Sequence, residues 1–181
     1  MPAPLELPRH PVVLGHPVHA ILSDLPATLI PTALLCECVR RVAPRPETQL
    51  LSGAATLAAS AAGLAAAVVG WIDWLTMPTE HPAQKPATLH GLINSASVVA
   101  VWGAAWLPPR RFMLLGLGTV GVVAGSWIGG ELVFRHGWRV RAAEEAELVE
   151  SRLQAEGRPD YFDQARAEVS DFERSKTILG G

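Results

Sequence analysis

Gly15-His16-Pro17-Val18-His19 is the stretch that decides how this chain folds, because it stands at the entrance to an apolar run from about Ala20 to Val39. About 20 mostly apolar residues is the length that an α-helix needs to cross the hydrocarbon core of a bilayer. Pro17 suits the first position of such a helix, with His16 as its cap and His19 in the first turn. Asp24 follows one to two turns further in, so the predicted helix carries a carboxylate inside the hydrocarbon boundary.

Three more segments pass the same length test. They run from Leu50 to Ile72, from Leu89 to Leu107 and from Phe112 to about Phe134. Backbone polar groups in lipid must be paired within the protein, so each segment can only be a helix. Short connections place consecutive helices antiparallel. The predicted fold class is therefore all-α, a four-helix transmembrane bundle embedded in the lipid bilayer.

The composition agrees with a membrane protein. Hydrophobic residues make up 49% of the chain and charged residues only 18%, whereas about 25% is usual for charged residues in a soluble domain. The formal net charge is −2. A chain so close to neutral gives no electrostatic reason to expect nucleic acid as a partner.

The composition changes after Trp138, where charged residues become frequent. We therefore expect two parts, a four-span membrane domain over residues 1–138 and a charged, soluble helical tail over residues 139–181. Residues 139–156 are predicted to form a helix that Gly157-Arg158-Pro159 ends, and Asp160 is predicted to cap a second helix through Lys176.

All six histidines fall on one side of the predicted bundle. Antiparallel alternation brings the start of the first and third helices and the end of the second and fourth to the same membrane face. That face collects histidines and carboxylates at helix ends, namely His16, His19, Asp24, Asp73, His90, Glu131 and His136. Ionisable residues in a bilayer are costly and normally face the protein interior. We therefore expect Asp24, Asp73 and Glu131 to surround the imidazoles.

Converging imidazoles and carboxylates are the ligands that iron, copper, zinc or manganese use, and paired imidazoles can also hold haem iron. The seven residues above are the candidate metal ligands. His19, His90 and His136 come from three different helices and are the candidate haem ligands, with Asn94 beside His90 as a supporting residue. The alternative is that these histidines only cap helices or lie in the headgroup layer.

Glycine recurs every fourth residue in the last predicted span, at Gly121, Gly125 and Gly129. Such spacing lets helix backbones approach closely in a membrane. The pattern favours tight packing within the chain, and the alternative is a homodimer through this glycine face.

The stretch from Gly15 to Pro26, together with Asp73, Leu89 to Asn94 and Gly129 to Gly137, resembles the membrane-protein family catalogued as domain of unknown function 2231. The motifs cover the predicted bundle and not the tail. The resemblance implies a four-helix membrane domain that in other chains is sometimes joined to a Rieske iron–sulfur domain. It therefore favours a redox setting with a Rieske protein as a possible separate partner.

The leading hypothesis is a haem or metal centre at one membrane face that serves electron transfer. A non-catalytic membrane subunit that recruits a partner, and a small carrier or proton path, are the alternatives. The sequence contains no nucleophile triad or phosphate loop, and whether it is an enzyme stays open.

Arg40 and Arg41 follow the first span directly, which favours the arginine loops on the cytoplasmic side of a bacterial inner membrane. The histidine face and both termini are then expected outside.

Overall fold

The computed structural model describes residues 11–14, 16–140, 149–158, 161, 163–164 and 167. Internal contacts divide the chain into two compact units, residues 1–136 and residues 137–181. The α-helices in the described part of the first unit are α1 (Val18–Val42), α2 (Pro46–Leu75), α3 (Gln84–Trp106) and α4 (Arg111–Phe134). A one-turn 3-10 helix, Pro108–Arg110, precedes α4.

A short hairpin precedes α1. Strand β1 (Val12–Val13) pairs antiparallel with β2 (His16–Pro17), so that Val13 lies opposite His16. Pro17 has extended backbone angles and is itself the N-cap of α1. The predicted cap at His16 is therefore wrong by one residue, because His16 is paired in the hairpin, whereas His19 does lie in the first helical turn.

The helices form a ring in which α1 packs on α2, α2 on α3, α3 on α4 and α4 on α1. The core is built from small and branched side chains, of which Ile30, Val101 and Leu115 are the largest apolar ones with almost no exposure. Alanines 33, 59 and 104 complete it. Small side chains let the helix axes come close. Because no hydrophobic driving force acts between helices in lipid, this close van der Waals packing is what stabilises their association.

Large apolar side chains lie on the outside of the bundle. Trp127 is 81% exposed, Val120 and Val99 are 70% exposed, and Leu35 is 65% exposed. An exposed apolar surface of this extent marks contact with a membrane or a partner. The outer surface therefore has the character of a lipid-facing surface.

Three stretches of the described chain are long and apolar enough to cross a membrane: Val18–Val42, Pro46–Leu75 and Pro108–Phe134. They correspond to the first, second and fourth predicted spans. The third prediction, α3, forms a helix but does not reach the same apolarity, because Gln84, Lys85, His90 and Asn94 dilute its first half.

The second unit begins with a turn. Gly137 and Arg139 both have positive φ angles, of 62° and 60°, so the predicted helix does not begin at Arg139. Residues 149–155 are helical and end at Gly157, whose φ is +71°. The Arg158 amide donates to the Leu153 carbonyl oxygen at 2.8 Å, which closes this helix end. Most of the second predicted helix, Asp160 to Lys176, lies outside the described residues.

Candidate functional site

His19 projects from the first turn of α1 onto α2. Its Nδ1 lies 3.2 Å from the carbonyl oxygen of Ala66. The ring also covers Gly70, where a Cβ would come within 2.7 Å of the His19 Cε1. A side chain at position 70 would displace the imidazole, so the absence of a side chain at Gly70 makes room for His19 on α2.

His90 repeats this arrangement between α3 and α4. Its Nδ1 lies 2.8 Å from the carbonyl oxygen of Gly125. A Cβ at Gly129 would lie 3.0 Å from the His90 Cε1, closer than side chains normally pack. Each of the two imidazoles is therefore held by one backbone carbonyl and one glycine of the next helix.

The two rings lie beside each other. Their centroids are 6.1 Å apart and their planes are at 87°. A carbonyl oxygen can only accept a hydrogen bond, so Nδ1 must carry the proton in each neutral ring, which leaves the lone pair on Nε2. Fixing the tautomer through a backbone carbonyl is how metal-binding imidazoles are usually oriented. The pair thus has the proton arrangement that two neutral metal ligands need.

Asn94 lies one turn beyond His90 on the same face of α3. Its amide nitrogen donates to the His90 carbonyl oxygen at 3.0 Å and lies 3.2 Å from the His90 Nε2. Gly125 makes room for this amide, because a Cβ there would overlap the Asn94 side chain. The predicted neighbour relation of Asn94 and His90 is confirmed, because the amide contacts both the imidazole and the carbonyl oxygen of His90.

The glycine face of α4 is filled by α3. A Cβ at Gly118 would meet Val101, one at Gly121 would overlap Ser97, and Gly125 and Gly129 face Asn94 and His90. The alternative of a homodimer through these glycines is therefore wrong, since the same chain already occupies the face.

Several predicted ligands lie apart from the imidazole pair. His16 is exposed, with its Nδ1 3.0 Å from the Leu14 carbonyl oxygen. Asp24 is exposed on α1, so the expectation that it faces the interior is wrong. Glu131 pairs with Arg135 at 2.8 Å and keeps 35% of its side chain exposed. His16 and Glu131 therefore contact groups on their own segments instead of the imidazole pair.

Asp73 is buried, and His136 is half-buried after the end of α4. No group of three or more His, Cys, Asp or Glu side chains able to hold a metal occurs within the part of the chain that the structure describes. The predicted set of seven converging ligands is therefore not assembled. His19 and His90 are the members that come together.

Glu37 is a buried polar residue that the sequence reasoning did not single out. It has no exposed surface, although it lies in an apolar segment. Arg40 binds both of its carboxylate oxygens, and Ser52 of α2 donates to Oε2 at 2.7 Å. Arginines three and four residues after a glutamate were the available signal, because that spacing puts all three side chains on one face of a helix.

One comparison with known proteins agrees with the membrane character of the chain. A family model described as a predicted membrane protein, DUF2231, matches residues 15–142. No curated protein and no solved structure matches the chain. The match covers all four helices and both imidazoles, and it extends over well more than half of the 181 residues. The chain therefore belongs to the DUF2231 family of predicted membrane proteins.

Proposed function

We propose that this membrane protein crosses the bilayer four times and binds one transition-metal ion between His19 and His90, with a redox role when that ion is iron or copper. The observation that carries the proposal is the pair itself. Two imidazoles from different helices have their centroids 6.1 Å apart, and each Nδ1 lies against a backbone carbonyl.

The structure supports α3 as the fourth span despite its modest apolarity. Its 23 residues extend about 34 Å at 1.5 Å per residue, and the hydrocarbon core is about 30 Å thick. Its outer face carries Leu92 and Val99, which are 55% and 70% exposed. Its polar residues, His90 and Asn94, face α4 instead. His90 and Asn94 thus lower the average apolarity of α3 without facing lipid, whereas Gln84 and Lys85 are the first two residues of the helix.

The packing of the two rings against Gly70 and Gly129 favours a single ion over haem. Two imidazoles bound to one metal atom at about 2.0–2.1 Å have ring centroids about 5–6 Å apart, so the observed 6.1 Å is compatible with a shared metal atom. Haem would require a porphyrin between the rings. Both imidazoles would then have to leave the glycines against which they pack. Bound iron or copper would supply one-electron chemistry at this position.

Asn94, His136 and water would assist the binding of the ion. Asn94 would move from the His90 Nε2 when an ion binds, and its second hydrogen bond, to the His90 carbonyl oxygen, would keep it close. His136 stays a candidate third ligand that would have to approach from the end of α4. Water can fill the other coordination positions, as is common at sites with open coordination.

The first test is the metal content of the protein purified in a mild detergent, together with its visible spectrum. We expect about one transition-metal ion per chain and no Soret band. His19→Ala and His90→Ala should each remove most of the ion, and His16→Ala, an exposed histidine on the same segment, should retain it. All variants must give the same monodisperse peak as the parent protein.

Metal retained by both His19→Ala and His90→Ala would overturn the site. A Soret band that both substitutions abolish would replace the ion by haem at the same ligands. The full chain without metal or haem after expression in metal-supplemented cells would overturn the proposed function altogether.

A proton path is less well supported. Ser52, Thr56 and Ser60 form a buried series of hydroxyls along α2 that starts at Glu37. However, Thr56 and Ser60 donate to the carbonyl oxygens of Ser52 and Thr56, one turn earlier on the same helix. The Glu37 carboxylate is neutralised by Arg40. These donors are committed to backbone or to an ion pair, which disfavours proton transfer along the series.

The redox partner would be a separate protein, and a Rieske-type iron–sulfur protein is the candidate that the family resemblance favours. The proposed location is a bacterial inner membrane, with the metal site near the outer face. The alternative of a partner-recruiting subunit depends on the charged tail, of which the structure describes only part.

A further inference from the structure

A groove opens at the arginine-rich end of the bundle, opposite the imidazole pair. Its volume is about 650 Å³, within the range of roughly 300–1,000 Å³ that is usual for small-molecule sites. The side chains that line this arginine-end groove are Arg40, Pro46, Gln49, Leu50, Gly53, Ala54, Leu57, Pro108 and Arg111. One part of it is therefore polar and positively charged, and the rest is apolar.

The apolar part follows one face of α2 towards the middle of the membrane. Leu50 and Leu57 are 75% and 61% exposed. Gly53 lies between them, and a Cβ added there would meet nothing within 4 Å. Leu57 is eleven residues beyond Pro46, about 17 Å along the helix axis, which is about half the thickness of the hydrocarbon core. The apolar part of the groove thus extends from the headgroup region to the depth at which an acyl chain ends.

The charged part has more arginines than carboxylates. Glu37 is bound by Arg40 and, at 3.5 Å, by Arg41. The Arg111 Nε donates to the Ala104 carbonyl oxygen at 3.3 Å. No carboxylate pairs with Arg111 among the residues whose side chains the structure describes. This end of the bundle carries five arginines (Arg40, Arg41, Arg45, Arg110 and Arg111) and two glutamates (Glu37 and Glu47), a formal charge of +3. The N-termini of α2 and α4 add positive potential.

We propose that the arginine-end groove binds an anionic phospholipid, with the phosphate between Arg40 and Arg111 and one acyl chain along Leu50, Gly53 and Leu57. The shape and charge together select this ligand. A free phosphate would pair with the arginines but leave the apolar part of the groove uncovered. A lipid without net charge, such as phosphatidylcholine, would leave the local positive charge uncompensated. Basic pockets between membrane helices hold anionic headgroups in the same way.

The experiment is native mass spectrometry of the full chain in detergent micelles, titrated with phosphatidylglycerol and, separately, with phosphatidylcholine. We expect retained phosphatidylglycerol and little phosphatidylcholine. Arg111→Gln should weaken phosphatidylglycerol binding about fivefold, which corresponds to about 1 kcal/mol per arginine at an anionic surface. Arg110→Gln is the matched control, because Arg110 is the exposed neighbour that does not line the groove.

Gly53→Leu tests the acyl-chain part separately. A Cβ at Gly53 would meet nothing within 4 Å, so we expect the variant to fold, to fill the acyl-chain part of the groove and to lose phosphatidylglycerol. Equal retention of both lipids, an equal effect of Arg110→Gln and Arg111→Gln, or full binding by Gly53→Leu would overturn the proposal. Competition by inorganic phosphate at the same concentration as the lipid would identify a free phosphate site instead and would also overturn it.

Discussion

Removing the Glu37 carboxylate is the sharpest test of how the arginine end is held together. The group has no exposed surface and accepts hydrogen bonds from Arg40 and from Ser52 of the neighbouring helix. Glu37→Ala leaves Arg40 and Ser52 without their acceptor. Glu37→Gln keeps the shape and one acceptor oxygen but removes the charge.

The magnitude follows from burial on both sides of the ion pair. Breaking a fully buried pair by removing one partner costs about 3–5 kcal/mol. Here the Arg40 and Arg41 side chains remain 28% and 50% exposed, so they can turn to water or headgroups and recover part of that cost. We therefore expect Glu37→Ala to lower the free energy of unfolding by about 2–3 kcal/mol and Glu37→Gln by about 1–2 kcal/mol.

The assay is unfolding in mixed micelles by titration with sodium dodecyl sulfate, followed by tryptophan fluorescence, since the chain contains six tryptophans. Glu47→Gln is the control because Glu47 is an exposed acid in the first turn of α2, where loss of the charge costs less than about 1 kcal/mol. If Glu37→Ala changes the unfolding free energy no more than Glu47→Gln does, the buried ion pair does not hold α1 to α2.

Two further predictions concern helix packing and orientation. Gly121→Ala should destabilise the bundle by about 1–3 kcal/mol through overpacking, because the added Cβ overlaps the Ser97 hydroxyl. In the same unfolding assay, Gly116→Ala on the same helix should be near neutral, because its Cβ meets nothing within 4 Å. Equal effects of the two substitutions would contradict the packing of α4 on α3. Alkaline phosphatase fused after Gly181 should be active and a fluorescent protein there dark, because the dense arginine loops favour the cytoplasmic side; the opposite pattern would place the imidazole pair at the cytoplasmic face.

The sequence by itself was sufficient for helices α1 to α4 and for the membrane-spanning character of three of them. Long apolar segments separated by proline-containing links predict helices close to those observed, and the glycine repeat in α4 predicts a close helix contact. The histidine-bearing ends were also expected together, because antiparallel helices with short links alternate in direction. These features depend on local composition and on chain connectivity, which a single sequence contains.

Only the tertiary structure decided which side chains meet. Helical periodicity shows that His90 and Asn94 share a face, but not that this face meets Gly125 and Gly129, because that depends on how each helix is rotated about its axis. The rotation is set by the packing of small against large side chains over the whole length of the helices. The rotation of the helices places His19 beside His90 and leaves Asp24 exposed. It also buries Glu37 between α1 and α2, whereas the sequence shows only that Glu37 is an acidic residue in an apolar run.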